Sequence, residues 1–118
     1  MISVGVDIED ISRFKDKTLE NAKAFLDRIF TEAELEYCFS KKTYASSLCA
    51  RFCAKEAVVK ALSSLYQEPI FYKDIEILRK DYGAPYINIK IEELKKYNFS
   101  LSLSHEREKA IAFVVISN

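Results

Sequence analysis

The stretch YASSLCARFCAKEAVVKALSSL, Tyr44 to Leu65, decides the fold. It reads as one long helix: Leu48, Phe52, Val59 and Leu62 supply an apolar stripe, and neither Gly nor Pro interrupts it. Apolar and small side chains dominate, as on a helix closed in by neighbours. Lys55 and Glu56 nevertheless sit at its centre. Most charged helical residues are solvated, so a wet face is the plain reading of this pair.

Upstream, in ISVGVDIE, apolar and other residues alternate. Ile2, Val4, Val6 and Ile8 share one side, and Ser3, Gly5, Asp7 and Glu9 share the other. The alternation predicts a strand that buries the apolar side and ends its opposite side in two carboxylates. From Asp10 the pattern turns helical, with Ile11, Phe14 and later Ala24, Phe25 and Ile29 at helical spacing. FTEAELEYCF opens a further helix, with Thr31 and Glu34 placed for a capping box. Beyond Pro69 the pattern changes to strands. DIEILRKDYGAPYINIKI predicts a hairpin turning at KDYGAP, where Gly83 is free to take a positive φ. A short helical EELKKY precedes a second pair, FSLSLSH and KAIAFVVIS, joined by ERE. Helices fill the first half and antiparallel strands the second, with a strand at the start: an α+β fold.

A chain of 118 residues points to a single domain, 1–118. Hydrophobic residues at 49% and charged ones at 31% are ordinary for a globular protein. Eighteen basic and eighteen acidic residues cancel, which removes the electrostatic argument for nucleic acid or membrane partners. No apolar run is long enough to span a bilayer, and MISVGVDIED lacks the regions of a signal peptide, so a cytoplasmic location is expected. Cys38, Cys49 and Cys53 read as buried free thiols of a reducing compartment. One histidine in the chain argues against zinc at Cys49 and Cys53. Two glycines exclude a Walker loop, a Rossmann fingerprint and a kinase glycine loop. Any phosphate must be held by side chains and a metal.

Asp7 and Glu9, two apart on a strand, present both carboxylates to one side, within reach of one hard cation. Glu56 adds a third if the long helix crosses the end of that strand. Three converging carboxylates repel unless a cation sits between them, and oxygen ligands of this kind suit Mg²⁺. The plain alternative is a solvated strand end. Lys60 lies one turn beyond Glu56 and Arg51 one turn before Lys55, a spacing that helix-surface salt bridges explain equally well. His105 follows a strand at a turn, exposed or in contact with a phosphate or hydroxyl at the rim of a site.

Five fragments, GVDIEDISR, FTEAELEY, ARFCAKEAVVKAL, GAPYI and LSLSHEREKAIAFVV, occur in this order over nearly the whole chain. Together they resemble the holo-[acyl-carrier-protein] synthases, the small bacterial trimeric class of 4′-phosphopantetheinyl transferases. The resemblance implies an antiparallel sheet packed against a long central helix. It also implies Mg²⁺-dependent transfer of 4′-phosphopantetheine from coenzyme A to a serine of apo acyl carrier protein, releasing adenosine 3′,5′-bisphosphate in support of fatty acid biosynthesis. By the same resemblance Asp7 and Glu56 bind the metal, with Glu9 as a further candidate ligand. Arg51, Lys55, Lys60, Gly83, Pro85, Ser104 and His105 contact coenzyme A, Glu56 and Lys60 serve catalysis, and Arg13 faces the acidic carrier. Glu56, Glu9 or a water at the metal would take the serine proton. A homotrimer with sites between subunits is implied, and the apolar run AIAFVVI is expected near the contact. Two departures stand out: SSLYQEP replaces a glycine-rich turn after the long helix, and Glu9 replaces an apolar or hydroxyl residue. The competing readings are a metal-dependent nucleotide phosphohydrolase and a non-catalytic partner-binding domain.

Overall fold

The long helix forms as the sequence predicts and organises everything else. In a computed structural model describing residues 1–118, it is α3, Tyr44–Leu62. Before it come strand β1, Ile2–Asp10, and helices α1, Lys23–Ile29, and α2, Glu32–Phe39. After it come β2, Ile75–Arg79, β3, Pro85–Ile89, β4, Asn98–His105, and β5, Lys109–Ser117. Single 3₁₀ turns occupy Ile11–Arg13, Tyr72–Asp74 and Glu92–Leu94. This is the expected α+β class.

Both sheets are antiparallel. One runs β1-β5-β4, leaving β1 at an edge, and the other is the β2-β3 hairpin. That hairpin turns where predicted, with Gly83 at φ 95°. The Thr31–Glu34 capping box is complete at the start of α2. Leu48, Phe52 and Leu62 of the expected stripe are buried, but so are Cys49, Cys53, Ala54, Ala57, Val58 and Ala61, so α3 is enclosed on nearly all sides. No helix is long and apolar enough to cross a membrane.

The orientation of β1 is the reverse of the expectation. Its apolar side is open, with Ile2 75%, Val4 56%, Val6 49% and Ile8 57% exposed. The small and polar side packs on α3 instead. The reason is distance: a Cβ on Gly5 would lie 2.0 Å from the carbonyl oxygen of Ala57 and 2.9 Å from the nitrogen of Ala61. Only a strand with no side chain there, facing alanines on the helix, approaches this closely. Ser3 adds an Oγ hydrogen bond to the Ala61 carbonyl at 2.5 Å. On β5, Ala110, Ala112, Val114 and Ile116 point to α3, while Ile111 and Phe113 join the open side.

The helical pattern expected from Asp10 onward is also corrected. Only the 3₁₀ turn and α1 form, because polar side chains capture the backbone between them. Thr18 and Asn21 exchange side-chain-to-backbone hydrogen bonds at 2.9 and 3.2 Å, and Asn21 Nδ2 donates to the Asp16 carbonyl at 2.8 Å. Phe14 still reaches the core, within 6.2 Å of the rings of Phe25, Phe30 and Phe52.

Candidate active site

Because β1 lies directly on α3, its inward carboxylate is carried to the helix side. Asp7 is buried, and its Oδ1 accepts from Lys60 Nζ at 3.0 Å. Lys60 also donates to the Val6 carbonyl at 2.9 Å, on the unpaired edge of β1. Asp7 Oδ2 is buried and has no partner at all. A buried, unpartnered carboxylate oxygen is costly, and a cation ligated there would satisfy it. This is where the residues fit a divalent metal.

Glu56, on the next turn of α3, is half-buried, and its Oε1 accepts from the Tyr72 hydroxyl at 2.5 Å. The protein makes no hydrogen bond to its Oε2. Burial, reinforced by the Glu56 carboxylate, pushes the Tyr72 phenol up to about 12, so it stays a donor at neutral pH. The Tyr72 ring packs on Phe52 at 5.6 Å.

Glu9 does not join Asp7 and Glu56 in a three-carboxylate site. Its Oε1 is held by Arg13 at 2.5 Å, with the Arg13 guanidinium 4.9 Å over the Phe52 ring. No group of three or more Asp, Glu, His or Cys side chains is placed to hold a metal. The turn after β1 brings Arg13 back over Glu9, and strand alternation could not show that.

Lys55 departs from its expected role at a coenzyme phosphate. Its ammonium is fully buried and donates to Glu34 Oε1 at 2.8 Å, the Tyr72 carbonyl at 3.0 Å and the Ile75 carbonyl at 2.6 Å. All three protons are taken, and none faces a ligand. Burial lowers its pKa, and the Glu34 carboxylate opposes that shift. Glu34 is equally occupied, accepting from Thr31 N and Ile77 N at 2.8 Å each.

Arg51 is buried too, stacked 4.4 Å over Tyr37, and its Nε has no partner. Arg79 approaches the same ring at 5.5 Å and donates to the Gly83 carbonyl, so Arg51 shares a ring with the residue that holds the Gly83–Pro85 turn. Ser104 and His105 end β4 at a different place. His105 lines a cleft of about 510 Å³ with Lys15, Thr43, Ser46 and Arg107. That cleft contains none of Asp7, Glu56 and Lys60. One chain thus gathers Asp7 with Lys60, and Glu56 with Tyr72, but leaves the other candidates in separate groups.

Reading the sequence missed Tyr72 and Glu34. Tyr72 gives no local signal, lying 16 residues from its partner. Glu34 was visible as a capping residue, and a lysine on an enclosed helix calls for a buried counter-charge. The three cysteines are free and buried as expected; burial raises the Cys38 thiol to about 11.

Residues 3–114 match the 4′-phosphopantetheinyl transferase superfamily. The chain belongs to that family. Among its relatives, it is 36% identical to the holo-[acyl-carrier-protein] synthase of Chlorobaculum parvum over 115 residues, covering 98% of this chain and 97% of the other. It is 40% identical to that of Clostridium botulinum over 118 residues, covering 96% and 94%. The crystal structure of the Helicobacter pylori synthase in complex with coenzyme A superposes with a TM-score of 0.82 at 32% identity, covering 97% and 99%. The fold and the enzyme class expected from the five fragments are therefore correct: the chain is a member of the holo-[acyl-carrier-protein] synthases of this superfamily.

Proposed function

We propose that the whole chain, residues 1–118, transfers 4′-phosphopantetheine from coenzyme A to a serine of apo acyl carrier protein and releases adenosine 3′,5′-bisphosphate. The observation that carries this reading is the full-length match to synthases, one of them solved with coenzyme A. The open Oδ2 of Asp7 supports it from the side of the chemistry.

The serine oxygen attacks the phosphorus attached to pantetheine, the bond to the bridging pyrophosphate oxygen breaks, and the bisphosphate leaves with that electron pair. Such transfers need alignment and charge neutralisation more than covalent help. Asp7 and Glu56 are the residues that would hold Mg²⁺, which, when bound, supplies charge neutralisation to the pyrophosphate. The half-exposed position of Lys60 beside Asp7 supports a role for it in holding phosphate charge. Glu9 is engaged by Arg13, which counts against it as acceptor of the serine proton.

A homotrimer with coenzyme A between subunits is part of the proposal, and the open side of the sheet supports it. Val4 with Val115, Val6 with Phe113 and Ile8 with Ile111 make adjacent cross-strand pairs there. Covering half of such a side chain stabilises by about 1 kcal/mol. Assembly would also let His105 and the Gly83–Pro85 turn reach acids carried by another copy. The match to holo-[acyl-carrier-protein] synthases is what supports a cytoplasmic enzyme serving fatty acid biosynthesis as part of this proposal.

The test is incubation with coenzyme A, Mg²⁺ and apo carrier, followed by mass spectrometry of the carrier. A phosphopantetheine adduct is expected, lost in Asp7→Ala and Glu56→Ala. An unmodified carrier with coenzyme A hydrolysed would instead indicate a phosphohydrolase, and no reaction a binding domain. A monomeric mass by light scattering at assay concentration would sink the trimer.

A further inference from the structure

The Tyr72 hydroxyl does something that neither its ring nor its place in the chain explains. Lys55 and Glu56 are neighbours on α3, and Tyr72 is tied to both. Its backbone carbonyl accepts from Lys55 Nζ at 3.0 Å, and its hydroxyl donates to Glu56 Oε1 at 2.5 Å. The first tie belongs to a closed network with Glu34 and Ile75. It fixes the 3₁₀ turn Tyr72–Asp74 against the helix, further pinned by the Asp74 amide on the Phe71 carbonyl at 2.9 Å. The ring rests on Phe52. A phenol so anchored has little freedom of its own, and a carboxylate bonded to it takes its orientation from the turn.

We propose that Tyr72 is a positioning residue for Glu56. By engaging Oε1 it selects one rotamer of the carboxylate and leaves Oε2 as the oxygen available to a divalent cation. Lys55 and Glu34 act one step further back, as the anchor of the turn that carries Tyr72. This answers why a lysine and a glutamate sit side by side on an enclosed helix. The lysine fastens the turn from which the glutamate is aimed. The inference rests on the assignment of Glu56 as a metal ligand, and partners that orient ligating carboxylates typically change metal affinity by about 10- to 100-fold when removed.

The experiment uses the full chain without carrier and measures Mn²⁺ binding by electron paramagnetic resonance, with Mg²⁺ as competitor. Tyr72→Phe keeps the ring and removes only the hydroxyl. It should weaken Mn²⁺ binding by roughly tenfold, leave coenzyme A binding in the absence of divalent metal unchanged, and lower kcat at limiting Mg²⁺ more than it raises KM for the carrier. Glu56→Gln in parallel should lose Mn²⁺ binding more severely. If Tyr72→Phe binds Mn²⁺ within about twofold of the parent while Glu56→Gln does not, the positioning role is overturned and the metal assignment stands. If Glu56→Gln binds Mn²⁺ like the parent, the metal assignment fails and the proposal with it. Equal weakening of Mn²⁺ and coenzyme A by Tyr72→Phe also overturns it, since that is general loosening of the fold. Thermal unfolding of both variants, with Tyr72→Leu as the case that loses the ring, reports whether each is folded under the assay.

Discussion

Two lysines on α3 hold carboxylates, five residues apart, and the two pairs are built in opposite ways. At Lys55–Glu34 both side chains are fully buried, all three ammonium protons have acceptors, and both glutamate oxygens are engaged. At Lys60–Asp7 the lysine is 55% exposed, and the second aspartate oxygen lacks a partner. A closed network has nothing left to offer a ligand, whereas an incomplete one does. The contrast separates a charge that holds the fold from a charge available for chemistry, although both look alike as residues on a helix.

The largest expected effect comes from opening the closed pair. Lys55→Met leaves Glu34 buried without its counter-charge and should cost about 3–5 kcal/mol, read as a lowered urea midpoint. Adding Glu34→Gln should recover part of that loss, because the two residues share one network. An additive double variant would mean the pair is not the unit described.

Next in size is Gly5→Ala, which attacks the close approach that brings Asp7 to Lys60. With backbone on the helix 2.0 Å from the new Cβ, β1 must move away, at a cost of about 3 kcal/mol. Metal-dependent transfer should fall with it, even at temperatures where the variant remains folded by circular dichroism. Full activity in a folded variant would detach Asp7 from the site.

The smallest effects on stability belong to the open pair. Lys60→Met should change unfolding free energy by about 1 kcal/mol or less, a difference that shrinks as salt is raised. Asp7→Asn should likewise be near neutral, since it removes a charge that is only half compensated, yet it should abolish transfer. A loss of several kcal/mol in either variant would make this pair a second structural anchor and erase the comparison.

Most of the architecture was legible because local signals agree with it. The enclosed helix, the Thr31–Glu34 cap, the turn at Gly83 and the β4-β5 hairpin each follow from residues within a few positions of one another. The facing of β1 was not legible. Alternation divides Ile2, Val4, Val6 and Ile8 from Ser3, Gly5, Asp7 and Glu9, but the usual rule that the apolar side is inward fails when the neighbour is a helix backbone at contact distance. Asp7, Glu56 and Lys60 were identifiable as candidates from the motifs around them. The pairing of Glu9 with Arg13 was not legible, because Arg13 follows a turn that breaks the strand pattern.

By itself the sequence determined the long helix, the strands and their order, which rest on propensities and spacing along the chain. Through the resemblance carried by five fragments, it also determined the family and the carboxylates worth examining. The tertiary structure alone decided which charges are complete and which are open. Lys55 and Lys60 differ little in local context. One meets Glu34, brought from 21 residues away into a dry interior, and the other meets Asp7 from 53 residues away at the edge of a sheet. Solvation and partner count set the role of a charge, and both are properties of packing between distant segments.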